Sequence, residues 1–292
     1  MQRTTALGLA LLAVLALAAT GAAGASAAQP IWYSCGKAPK NEAKEYTGHY
    51  AGKECKKAEY VPTGGKYQLV AGVGKGKKFK ITGGPITLHT IQPATKTDIP
   101  LICASFKGEG YDGAPNLVTK VKLVASKCNL LDAPCQNGAK QETIETKVLA
   151  GSLGWISEPG KTVGTDLLSE AEPGGPVLEA ACAAIGEIRV IGSVIGENQG
   201  DVEAIAKEAK IGYTPGHYLG EVVYNEKGDK YSPLVNIPEF EGGSHDILKT
   251  EVKGTITGHP TEFYPPAGVP SGLEGTANNK GEALGIYAEG SA

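Results

Sequence analysis

Apolar and polar residues alternate along this chain in short runs, each closed off by Gly, Pro or Asn. The clearest runs lie at 66–70, 79–82, 87–91, 101–106, 117–124 and 143–149, and later at 187–195, 222–224, 231–235, 247–256 and 284–288. A period of two is that of a β-strand with one dry and one wet face. In Lys120-Val-Lys-Leu the apolar residues alternate with lysines, so the lysines face water. Tyr224-Asn-Glu-Lys-Gly-Asp-Lys-Tyr reads as a hairpin, with Asn225 and Gly228 suited to its turn. Two stretches, 177–184 and 201–210, are rich in Ala, Glu, Leu and Lys and so favour helix by propensity. If Cys182 is to face Cys103, the first is more simply a strand. The second reads either as one short helix capped at Asp201 or as a strand alternating through Ile205, Ala209, Ile211 and Tyr213.

Composition strengthens the β reading. Of 292 residues 41 are Gly and 18 Pro, with one Met, which disfavours a helical bundle, a collagen and a coiled coil. The expected fold is all-β, an antiparallel β-sandwich or open β-barrel with at most one or two short helices. Glu158-Pro-Gly-Lys and Glu172-Pro-Gly-Gly-Pro are the places where the chain could divide. We expect a single domain over 29–292, the alternative being two β domains divided near 160.

The N-terminus reads as an address. Arg3 precedes an apolar run over 6–19, and Ala25-Ser-Ala supplies the small residues of a cleavage site, so 1–28 is expected to be a secretory signal peptide. The run is too short to cross ~30 Å of hydrocarbon, and no other stretch approaches that length, so no transmembrane anchor is expected. All six cysteines follow the cleavage site. An even count in an exported chain implies three disulfides. Proximity favours Cys35 with Cys55 and Cys128 with Cys135, leaving Cys103 for Cys182, each of which sits in an apolar run. Zinc is disfavoured, because the spacing of Cys128 and Cys135 is not that of a zinc ribbon and no paired histidines accompany it. No metal and no cofactor are expected.

Charge is divided unevenly. Residues 29–161 hold 19 Lys and no Arg against 11 acids, whereas 162–292 hold 7 Lys and 1 Arg against 20 acids. The plain explanation is solubilising charge that interleaves in the fold. Gly72-Val-Gly-Lys-Gly-Lys resembles a phosphate-cradling loop, but strand-like Lys78-Phe-Lys-Ile-Thr follows it where a helix N-terminus is required, so no nucleotide is expected. Lys75, Lys77, Lys78 and Lys80 leave a local cationic tract that could meet an anionic cell-surface polymer. The alternative is a solvated lysine turn.

No catalytic motif emerges. His49, His89, His217, His245 and His259 are scattered, and contiguous Ser244-His-Asp is not a triad, since consecutive side chains project apart. Gly192-Ser-Val-Ile-Gly has the wrong spacing for a nucleophile elbow. A cysteine nucleophile has no spare thiol. Paired carboxylates for glycoside hydrolysis depend on space and not on sequence. Such sites usually bring aromatic platforms, for which the candidates are Trp32, Trp155, the 12 tyrosines and the cluster Thr261-Glu-Phe-Tyr-Pro-Pro.

The succession Trp32-Tyr-Ser-Cys-Gly, Tyr67-Gln-Leu-Val-Ala-Gly-Val-Gly-Lys-Gly, Leu88-His-Thr, Leu153-Gly-Trp-Ile-Ser and Gly192-Ser-Val-Ile-Gly resembles a group of uncharacterised secreted, disulfide-containing proteins of high-GC bacteria. The resemblance implies export and cysteine pairing, and brings no activity or site residue. The expected function is that of a secreted, non-enzymatic binding or structural protein of the cell surface or extracellular space. The alternative is an extracellular hydrolase on a β scaffold, acting on a polysaccharide or peptide.

Overall fold

A computed structural model describes residues 28–73, 76–92, 97–113, 115–183, 185–201, 203–213, 223–224, 230–231, 239–241, 243, 248–254 and 269–288. The all-β, antiparallel expectation holds for these residues, whose one helical element is a single 3-10 turn at Lys57–Glu59. The strands are β1 (Pro30–Lys37), β2 (Gly48–Tyr50), β3 (Tyr60–Gly65), β4 (Tyr67–Ala71), β5 (Lys77–Gln92), β6 (Thr97–Asp98) and β7 (Leu101–Gly113). Next come β8 (Leu117–Leu130), β9 (Ala133–Gln136), β10 (Thr143–Glu145), β11 (Leu149–Ser157), β12 (Thr162–Ser169) and β13 (Pro176–Cys182). The chain continues through β14 (Gly186–Ile191), β15 (Ser193–Asn198), β16 (Ala206–Tyr213), β17 (Val223–Tyr224), β18 (Lys230–Tyr231), β19 (Lys249–Gly254) and β20 (Val269–Ala288).

Eight of these pair in a ring that returns to its start: β5, β7, β8, β11, β12, β15, β16, β20 and again β5. Every pairing is antiparallel and the spatial order is the chain order, so each strand is laid beside the one before it. An even number of alternating strands lets the first and last meet antiparallel, as β5 and β20 do over Ser271↔Thr90 to Lys280↔Lys80. Excursions from the ring build a second sheet, β9–β13–β14–β19, which reaches the start of β20. The N-terminal strands form a third patch, β3–β2–β4–β1, hydrogen-bonded to the end of β20.

Local sequence explains several boundaries. The runs at 79–82 and 87–91 are one strand of 16 residues, because Gly83-Gly-Pro85 continues the extended backbone instead of turning it. The run at 187–195 breaks at Gly192, whose φ of 102° favours Gly. There the chain leaves the second sheet as β14 and rejoins the ring as β15. Residues 177–182 are strand, although Cys182 faces Cys135 there and not Cys103 as the expectation supposed. In 201–210, Ala204 N–H donates to the Asp201 carbonyl, and strand begins at Ala206, which decides for the extended alternative. β17 and β18 pair as the predicted hairpin does, with its turn residues outside the described set. β20 went unforeseen except at 284–288, because Gly, Asn and charged residues hide any alternation.

Two disulfide expectations are corrected. Cys35–Cys55 forms, but Cys103 bonds Cys128, not Cys182, and Cys135 bonds Cys182, not Cys128. Cys103 and Cys128 lie opposite each other in the β7–β8 hairpin, and Cys135 lies opposite Cys182 in β9–β13. The β8–β9 turn at 131–132 brings Asn129 opposite Pro134, so Cys128 and Cys135 would be the next register pair. Nearness along the chain was therefore real. What it missed is that each of these two strands has an outer neighbour carrying its own cysteine.

Candidate functional site

An eight-stranded closed ring has an interior just wide enough to be filled by side chains or to hold one small ligand. Phe79, Ile81, Leu88, Phe106, Val121 and Leu167 line that interior, and all six are buried. Space for the large rings comes from glycines on the facing strand. A Cβ at Gly83 would meet the Phe106 ring at 2.1 Å, and one at Gly110 would meet Phe79 at 2.6 Å.

The filling is incomplete. Two cavities are stacked along the ring, sharing Phe106, Leu123, Leu167 and Tyr213 as the layer between them. The larger, about 130 Å³, reaches toward the second sheet, which contributes Val177, Leu178 and Val190. Among its described lining residues only Thr146 and Tyr213 carry a side-chain oxygen, and the Thr146 hydroxyl already accepts from Leu123 N–H at 3.0 Å. An apolar void of ~150 Å³ stays dry and admits benzene. Lining atoms that face empty space lack contact partners, so an apolar occupant of matching shape would be favoured.

The smaller cavity, about 90 Å³, has a different chemistry. Asp112, at the end of β7, lines it and is only 8% exposed. Burial pushes its carboxyl up to about 7. Asn279 from β20 lines the same space, and its side-chain oxygen is buried without a hydrogen-bond partner. Neither residue was singled out from sequence. Asp112 sits between glycines and aromatics that resemble any turn, and only the ring shows that its side chain faces inward.

His89 is the histidine with the richest surroundings among the described residues. Its Nδ1 lies 2.7 Å from Asp98 Oδ2, and its Nε2 lies 3.0 Å from Glu274 Oε2. Burial works to lower its pKa, but the carboxylate of Asp98 and then that of Glu274 outweigh burial and raise it. Nearby, Thr90, Thr250 and Ser271 share their hydroxyls in a buried network, and Asp98 Oδ1 accepts from Thr90 N–H. A carboxylate at each nitrogen favours the imidazolium, which donates to both. It has no lone pair to accept a hydroxyl proton, which a nucleophilic triad needs.

The remaining sequence candidates are dispersed. Lys78 pairs with Glu109 at 2.8 Å, and alternation sets Lys77 on the opposite face of β5 from Lys78 and Lys80; Lys75 lies outside the described residues. Strand follows the glycine loop, as expected, with Gly76 leading directly into β5. Lys147 with Glu179 and Lys161 with Glu203 join the basic and acidic halves, so the charges do interleave. Trp32 and Trp155 serve the fold, Trp32 through an indole N–H donating to the Leu117 carbonyl and Trp155 through burial against Leu153, Val163 and Ile286; the Trp155 N–H reaches the carbonyl of Ala28, the last residue of the expected signal peptide. Exposed His49 stacks on Tyr60, with ring centroids 6.0 Å apart. His217, His245, His259 and the 261–266 cluster lie outside the described residues. No group of three metal-ligating side chains occurs among the described residues, and no helix there is long and apolar enough to cross a membrane. Comparison with protein-family models, curated proteins and solved structures finds no match.

Proposed function

We propose that this is a secreted binding protein, without catalytic activity, that holds a small apolar molecule inside its strand ring. The observation that carries the reading is the larger cavity, an apolar space of about 130 Å³ lined by ring strands and the second sheet. Three disulfides accord with an oxidising, extracellular setting, and the signal-like N-terminus points the same way. Toluene titrated into the mature protein should raise its melting temperature and shift methyl resonances of Leu88, Val190 and Leu273. Ala125→Leu, which places three more carbons in the cavity, should stabilise the free protein and weaken toluene binding at least tenfold. A cavity variant that binds toluene as tightly as the parent would refute the assignment.

The hydrolase reading has one supporting observation, the His89–Asp98 pair beside buried hydroxyls. The second carboxylate at Nε2 argues against it. Turnover of glycans, peptides or esters by the mature protein, abolished by His89→Gln, would reverse this preference.

A further inference from the structure

We propose that the smaller chamber is a subsite for a primary ammonium group on a compact apolar ligand, with the Asp112 carboxylate and the Asn279 side-chain carbonyl as its acceptors. The inference rests on the reading of the ring interior as a ligand chamber and names the chemistry of its polar end.

Two acceptors line this chamber with nothing donating to them. Asn279 Oδ1 is buried and unbonded, and the Asp112 carboxyl, in a residue 8% exposed, has burial as the only influence on its pKa, with no hydrogen bond contributing. Burial is the sole cause of the Asp112 shift, so no cation offsets it, although Lys77 stands opposite it in the β5–β7 register. A buried carboxylate and a buried amide oxygen are both unfavourable until a donor reaches them. The other charged groups lining the chamber are Lys207 and Glu208 from β16 and Glu282 from β20. Glu208 is engaged by Lys280 at 2.6 Å. Carboxylates therefore outnumber cations around the space, which disfavours an anionic head group. An alcohol offers one donor and no charge. An ammonium offers three donors and a charge that Asp112 can neutralise. Phe79, Val118 and Val121 line the same space and would receive a short apolar substituent.

The test uses the mature protein with isobutylamine and isobutanol, matched in shape, and with toluene as reporter of the larger chamber. At pH 8 isobutylamine should bind at least tenfold more tightly than isobutanol. Asp112→Asn should erase that advantage and leave toluene binding within twofold, and Asn279→Leu should reduce it. Calorimetry at pH 6 in two buffers of different ionisation enthalpy should show proton release on amine binding, because the ammonium drives Asp112 to its ionised form. Equal affinity for amine and alcohol while toluene still binds would overturn the subsite alone. Failure of toluene as well would overturn the chamber reading, and the subsite with it.

Discussion

Burial without a compensating cation ties the stability of this protein to pH through Asp112. Its folded pKa, about 7, lies above the ordinary value of 3.8, so the unfolded chain ionises first as pH rises. Stability is then fully present below about pH 4 and declines until the folded group itself ionises near pH 7. Asp112→Asn should flatten that decline and leave the variant more stable at pH 8 by on the order of 3–4 kcal/mol. Denaturant titrations at pH 4, 6 and 8 measure the effect; parallel curves for parent and variant would show that Asp112 is not a buried acid. At this scale the sequence was a poor guide. Gly110-Tyr-Asp-Gly gives no sign that residue 112 faces inward, and Asn279 lies in a polar stretch without alternation. His89 was legible as a strand residue, but not as the meeting point of carboxylates from β6 and β20.

Strand pairing decides which cysteines meet. The order β7, β8, β9, β13 puts Cys103, Cys128, Cys135 and Cys182 in one row, and each bond forms between directly opposed residues. Peptide mapping under non-reducing conditions should recover Cys103–Cys128 and Cys135–Cys182. On loop entropy, replacing both members of the first pair by Ala should cost about 3.5 kcal/mol and of the second about 4 kcal/mol, for separations of 25 and 47 residues. Recovery of Cys128–Cys135 would contradict the strand order itself. The existence of most strands was readable from alternation, and the hairpin at 224–231 from its turn residues. Their joins were not: Gly83-Gly-Pro85 looks like a break and is not one, whereas Gly192 is a genuine corner inside an apolar run.

The ring closes between strands whose paired residues lie about 180 positions apart, as in Ser271 with Thr90. β20 also pairs with β16, β1 and β19, so one C-terminal strand joins all three sheets. A chain ending at residue 268 should therefore lose cooperative unfolding and its slowly exchanging amides in β5 and β16. Retention of a sharp, parent-like thermal transition would show that the ring does not depend on its last strand. Such distant closure also rewards the chain late in folding. The sequence by itself determined the class of structure, because a period of two with abundant glycine and proline leaves little besides antiparallel strands, and it determined that six cysteines would pair. Only the tertiary structure decided which cysteines pair, which acid is buried and where space remains. Strand propensity is local and is written within a few residues, whereas register, facing and cavity depend on neighbours brought from distant parts of the chain.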